Sequence, residues 1–121
     1  MSTQPISARE PIWEAVEAAR DKKAQELVLL QIGEVTTFTD YFLICSGASS
    51  RQVQTICDEI ERRLSLLGLR PAHIEGYNHA EWVLMDYGDF VVHAFSARAR
   101  SYYDLERLWK TAPRVPLGPQ E

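Results

Sequence analysis

One well-capped amphipathic helix, set between short apolar runs, constrains this chain more than any other feature. Ser49-Ser50-Arg51-Gln52 reads as a capping box, with Ser49 at the N-cap and Gln52 reaching back from three residues on. Val53, Ile56, Cys57, Ile60, Leu64 and Leu67 then form one apolar stripe. The opposite face pairs Asp58 with Arg62 and Glu59 with Arg63 at i, i+4 spacing, and Gly68 supplies a left-handed stop. Before the helix, Tyr41-Phe42-Leu43-Ile44-Cys45 has strand length and is apolar on both faces, the pattern of an interior strand covered on both sides. After it, residues 69–76 read as another strand. Strand, helix and strand in that order predict a right-handed parallel crossover.

The other elements extend this frame. Residues 1–10 are polar and aperiodic and read as a flexible arm. Pro11 suits a helix first turn, and Ile12, Ala15, Val16 and Ala19 recur at helical spacing up to Lys22-Lys23. Residues 27–32 form an apolar run of strand length. Residues 82–87 and 90–95 flank Gly88-Asp89, a two-residue type II′ hairpin turn. Residues 98–110 read as one helix with Tyr102, Leu105, Leu108 and Trp109 on one side, and the proline-rich residues 111–121 as a disordered tail. The expected architecture is a single α/β domain over residues 11–110. It is a mixed sheet of about five strands with flanking helices, in the order α-β-β-α-β-β-β-α.

Composition excludes several classes of function. With 13 basic and 17 acidic residues and a net charge of -4, the chain lacks the basic stripe that phosphate contacts demand, so no direct nucleic-acid binding is expected. An acidic surface would instead steer toward a basic protein. Cys45 and Cys57 stand in apolar patterns outside any C-x-x-C pair and read as small buried hydrophobes. No run approaches a membrane span, and the early Glu10, Glu14 and Glu17 do not suit a transit peptide. The expected location is a reducing cytoplasm.

No catalytic motif is legible. The Ser46-Gly47-Ala48-Ser49-Ser50 stretch could hold a phosphate at a helix N-terminus. A nucleotidyltransferase using such a turn also needs strand carboxylates for magnesium, whereas Asp58 and Glu59 fall on the solvent face of a helix. Asp86 and Asp89 are a conceivable metal or acid/base pair, but turn chemistry favours Asp at those places and no His or Cys stands at ligand spacing. No catalytic residue, metal or cofactor is therefore assigned.

Strand alternation divides the hairpin. Trp82, Leu84, Asp86, Val91, His93 and Phe95 share one face, and Val83, Met85, Tyr87, Phe90, Val92 and Ala94 the other. The second face is apolar enough to be core. The first is mixed, and alternation alone leaves open whether it is a protein interface or is covered by helices.

Five segments in one order then carry a family resemblance. They are Thr39-Asp40-Tyr41-Phe42, residues 47–53 ending Ser50-Arg51-Gln52-Val53, Glu75-Gly76, residues 82–89 with Val91-Val92-His93, and residues 103–109. From about Ile12 to Trp109 the chain closely resembles the ribosomal silencing factor family, RsfS or Iojap. The resemblance implies a nucleotidyltransferase-like fold without the catalytic acids. It implies binding to the large ribosomal subunit through the basic large-subunit protein fourteen, which blocks small-subunit joining and represses translation when nutrients are short. It also implies a homodimer when free. By position, Trp82 falls on the family's partner-binding surface, and that expectation extends to Leu84, Asp86, Tyr87, Asp89 and Glu75.

Overall fold

The structure, a computed structural model, describes residues 6–118. The N-terminal half of the expected arm, residues 1–5, and the last three residues of the expected tail lie outside the described residues. The elements are α1 (Ile12–Asp21), β1 (Gln25–Leu30), a 3-10 turn (Ile32–Glu34), β2 (Tyr41–Gly47), α2 (Ser50–Leu66), β3 (His73–Glu75), β4 (Trp82–Asp86), β5 (Phe90–Ser96), α3 (Ala97–Tyr103), α4 (Leu105–Leu108) and β6 (Arg114–Val115). They form one six-stranded sheet in the order β3-β4-β5-β2-β1-β6. The expected mixed α/β sheet is present, with one strand more than the sequence pattern discloses.

The centre of the sheet is the parallel pair β2 and β5, in register from Tyr41 opposite Phe90 to Gly47 opposite Ser96. Every residue from Phe42 to Gly47 and from Phe90 to Phe95 is buried. Side chains on both faces of these strands therefore need cover. On one face α1 and α2 supply it, packing Ile12, Val16, Val53, Ile56, Ile60 and Leu64 against Leu43, Cys45, Val92 and Ala94. On the other, Ala99, Leu105, Ala112 and Trp109 of the C-terminal segment pack against Phe42, Ile44, Val91 and Phe95. Burial pushes the Cys45 thiol up to about 12, as an inert core residue requires, and it raises that of Cys57 as well.

Helix α2 starts as its sequence predicts, with one difference. Ser49 Oγ accepts from Gln52 N–H (3.1 Å), but the Gln52 carboxamide oxygen accepts from Ala48 N–H (2.7 Å), one residue before the N-cap. Its amide nitrogen donates to the Lys22 and Lys23 carbonyls, so Gln52 also caps the C-terminal end of α1. Of the two expected charge pairs, Glu59–Arg63 forms (2.8 Å). Asp58 does not pair with Arg62; it accepts from Tyr77 Oη at 2.8 Å, and Arg62 joins Glu59 at 2.7 Å. Arg62 and Arg63 together hold the Glu59 carboxyl down at about 2. Arg63 also reaches Asp21, tying α2 to α1. Leu67 leaves the apolar stripe and is 55% exposed, because the helix stops at Leu66.

Three expectations are corrected. The strand after α2 is only three residues long, and β3 does not neighbour β2. It runs in the same direction but is separated from β2 by two strands, at the sheet edge, because the β4–β5 hairpin inserts between them. Residues 98–110 are not one helix. Asp104 adopts the left-handed conformation (φ 48°), which Asp tolerates better than most residues. The break turns Leu105 onto the sheet while Tyr102 and Leu108 stay exposed. Finally, residues 111–118 are not a disordered tail. Arg114 and Val115 pair with Leu30 and Leu29, and Pro113 O accepts from Gln31 N–H at 2.8 Å. Proline suits such an edge strand, whose outer N–H groups need no partner.

Arg100 locks the C-terminal segment in place. It is 6% exposed and pairs with Glu106 at 2.6 Å. It also donates to Glu26 O (2.7 Å) at the β1 bulge and to Ser46 Oγ (3.3 Å) on β2. Burial pushes the Glu106 carboxyl up, but the Arg100 hydrogen bond and charge outweigh it and leave the group below its ordinary value. Arg100→Ala would strand Glu106 and two acceptors, so a loss of about 3 kcal/mol is expected in urea unfolding.

Candidate functional site

The face that begins with Trp82 continues across the sheet. Register places Glu75 opposite Leu84 and His73 opposite Asp86, while Leu84 stands opposite His93 and Trp82 opposite Phe95. Directly opposed residues share a face, so His73, Glu75, Trp82, Leu84, Asp86 and His93 all project to one side. The C-terminal helices cover the β2 and β5 part of this side and stop short of β3 and β4. Trp82, Leu84 and Asp86 are half-buried, and Glu75 and His73 are exposed. Glu75, Gly76, Trp82 and Leu84 line a shallow pocket of about 240 Å³. The face is thus core over β5 and open surface over β4 and β3.

The open part is rigidly built. The Trp82 ring lies 5.1 Å from Phe95 and 4.7 Å from Tyr103. Its indole N–H donates to His93 Nδ1 at 3.1 Å. His93 is only 4% exposed and meets Phe42 edge to face at 4.4 Å. Burial lowers its pKa to about 4, so the ring is neutral at pH 7. With Nδ1 accepting, the proton sits on Nε2, which has no partner among the described residues. A buried donor left unpaired costs about 1–3 kcal/mol.

Gly76 sets the geometry of the pocket floor. Its φ is +81°, and a Cβ there would overlap the Trp82 carbonyl oxygen. Only glycine lets β3 turn so close to β4. The loop from Gly76 to Glu81 is anchored to α2, with Gln54 donating to Tyr77 O (3.0 Å) and Tyr77 Oη to Asp58.

Among the expected site residues, the structure brings Trp82, Leu84, Asp86 and Glu75 together. Asp86 is partly committed to the turn, since its Oδ1 accepts from Gly88 N–H at 2.8 Å. The turn follows the expected register, with Tyr87 N–H donating to Phe90 O and φ +85° at Gly88. Asp89 is exposed at the tip, held by Asp40 N–H on its carbonyl (2.9 Å). Tyr87 does not join the group. It points to the α2 side, stacks on Phe90 at 5.1 Å, and has a buried hydroxyl with a raised pKa. Sequence reasoning missed His73, which contacts Glu75, and also Gly76 and Tyr103 as parts of the surface. The short edge strand carries no periodicity that could have placed His73, and Tyr103 reaches Trp82 only through tertiary packing.

Nearly the whole chain is similar to known proteins. The family described as "Ribosomal silencing factor during starvation" matches residues 5–121. The chain is 44% identical over 112 residues to the ribosomal silencing factor RsfS of Halalkalibacterium halodurans, covering 93% of this chain and 96% of the relative. It is 44% identical to RsfS of Bacillus subtilis over 103 residues, covering 85% and 87% respectively. A mouse protein named for mitochondrial assembly of the ribosomal large subunit is 30% identical over 107 residues, which is 86% of this chain and 47% of that protein. A crystal structure of a Chromobacterium violaceum protein superposes with a TM-score of 0.82 at 30% identity, covering 95% of this chain and 96% of that one.

Two expectations test the site's construction. Gly76→Ala should cost about 2 kcal/mol through backbone strain and the clash with Trp82, with hydrogen-exchange protection lost first in β3 and β4. The second concerns pH. Folded His93 stays neutral down to about pH 4, whereas the unfolded residue protonates near its ordinary value of 6.5. The unfolded state therefore binds more protons in that window, and stability present above pH 6.5 is lost as pH falls through 4. The shift corresponds to about 3 kcal/mol. Urea unfolding from pH 7 to pH 4 should show this component in the wild type and lack it in His93→Leu.

Proposed function

The chain belongs to the ribosomal silencing factor family, and we propose that it binds the large ribosomal subunit through large-subunit protein fourteen and thereby blocks joining of the small subunit. Translation is repressed under nutrient limitation by occupancy of a surface, in the cytoplasm and without catalysis. The observation that carries the docking site is the half-covered sheet face. Trp82 and Leu84 offer apolar area beside a pocket, rimmed by the exposed carboxylate of Glu75 and the half-buried one of Asp86 on the same face. An aromatic anchor inside a polar rim is the anatomy of a protein interface, and the rim's negative sign suits a basic ribosomal protein. The name of the mouse relative, which refers to the ribosomal large subunit, supports the same target. The free protein is proposed to be a homodimer, in line with the family resemblance.

Trp82→Ala is the direct test. Co-sedimentation with isolated large subunits should weaken at least about 30-fold, the equivalent of a hot-spot loss of about 2 kcal/mol. Wild-type binding should also fall as salt rises, because the Glu75 charge on the rim is exposed. A Trp82→Ala protein that binds as tightly as wild type and still prevents subunit joining would remove this face from the function.

A further inference from the structure

We infer that His93, a buried residue beneath the surface, is the positioning residue that fixes the Trp82 indole for partner binding. The inference rests on the reading of the Trp82 face as the docking site. It starts from an imbalance. Position 93 lies in the middle of β5, flanked by Phe42 edge to face and bonded to Trp82, with Val91 and Phe95 on the same side of the strand. The neighbouring buried positions of β5 are filled by Val, Ala and Phe. Leucine would fill the same space with no polar atom to satisfy. Histidine instead buries a ring whose Nε2 has no partner among the described residues. What histidine adds is one acceptor, Nδ1, placed 3.1 Å from the indole nitrogen of Trp82.

That acceptor has a geometric consequence. Trp82 is half-buried, its ring packs against Phe95 and Tyr103, and its indole N–H donates to His93 Nδ1. A half-buried indole has two torsions to fix, and apolar contacts are non-directional. The Nε1–H···Nδ1 bond is directional and selects one orientation, with the N–H end inward toward β5. An anchor already ordered before binding loses less side-chain freedom at the interface. His93 therefore contributes to affinity without touching the partner.

The test uses two variants of the full chain, the large subunit as probe, and the Trp82 indole resonance, assigned by its absence from Trp82→Phe. Asparagine at 93 sets a carbonyl oxygen where Nδ1 stands; leucine removes the acceptor. In the wild type the Trp82 indole N–H should exchange at least about tenfold more slowly than an exposed indole. His93→Leu should lose that protection and weaken subunit binding about tenfold, while its melting temperature stays within about 4 °C of wild type, because the unpaired Nε2 disappears as the indole N–H loses its acceptor. His93→Asn should melt lower yet bind within about threefold of wild type. A merely structural residue would move stability and binding together, so this opposite ordering is the signature. If Trp82→Ala weakens binding but His93→Leu does not, the inference is overturned and the docking site stands. If Trp82→Ala leaves binding unchanged, the docking site itself fails and the inference with it. Should either variant not fold, the wild-type measurement decides: an unprotected indole N–H overturns the inference.

Discussion

The parallel pairing of β2 with β5 is the constraint on which the rest of the molecule depends. Both strands are buried along nearly their whole length, so each presents apolar side chains to two sides of the sheet. A sheet with such a centre must be covered twice. The longer helices, α1 and α2, cover one side over the central strands. The other side receives only the short α3 and α4, which reach across β2 and β5 and end there. Among the described residues, no helix covers the strip over β3 and the Leu84 part of β4. The candidate docking surface is thus a product of the fold's incomplete cover.

That strip is nonetheless held firmly. Arg100 secures the partial cover by joining α3 to α4, to the β1 bulge and to β2. Gln54 and the Tyr77–Asp58 hydrogen bond secure the loop beneath the pocket to α2. Gly76 lets β3 approach β4 closely enough to shape the pocket. Rigid support matters for a protein that acts by occupying a surface, because ordering an anchor at the moment of binding subtracts from affinity. The neutral, buried His93 belongs to the same logic, since it spends stability on holding one indole in one orientation.

Much of the architecture was legible in local pattern. The cap at Ser49, the stripe on α2 as far as Leu64, the interior character of β2 and the register of the β4–β5 hairpin follow from local pattern and appear as expected. Where local pattern was silent or ambiguous, tertiary contacts decided. Asp58 had two possible partners, and the Tyr77 hydroxyl took it in place of Arg62. The sequence around Asp104 is compatible with a continuous helix, but burying Leu105 and pairing Arg100 with Glu106 requires a break. The Arg114–Val115 strand has no periodicity of its own and forms only because the edge of β1 is vacant.

The candidate site divides in the same way. The sequence by itself determined that Trp82, Leu84 and Asp86 share one face of a strand, because side chains on a strand alternate with a period of two wherever the strand lies. It also determined, through the order of five motifs, the family to which the chain belongs. Only the tertiary structure decided that this face is covered at His93 and open at Leu84. It likewise set Glu75 beside Leu84 and brought Gly76 and Tyr103 to Trp82. Exposure depends on which distant element packs above a residue, and here that is set by where α3 and α4 stop on the sheet.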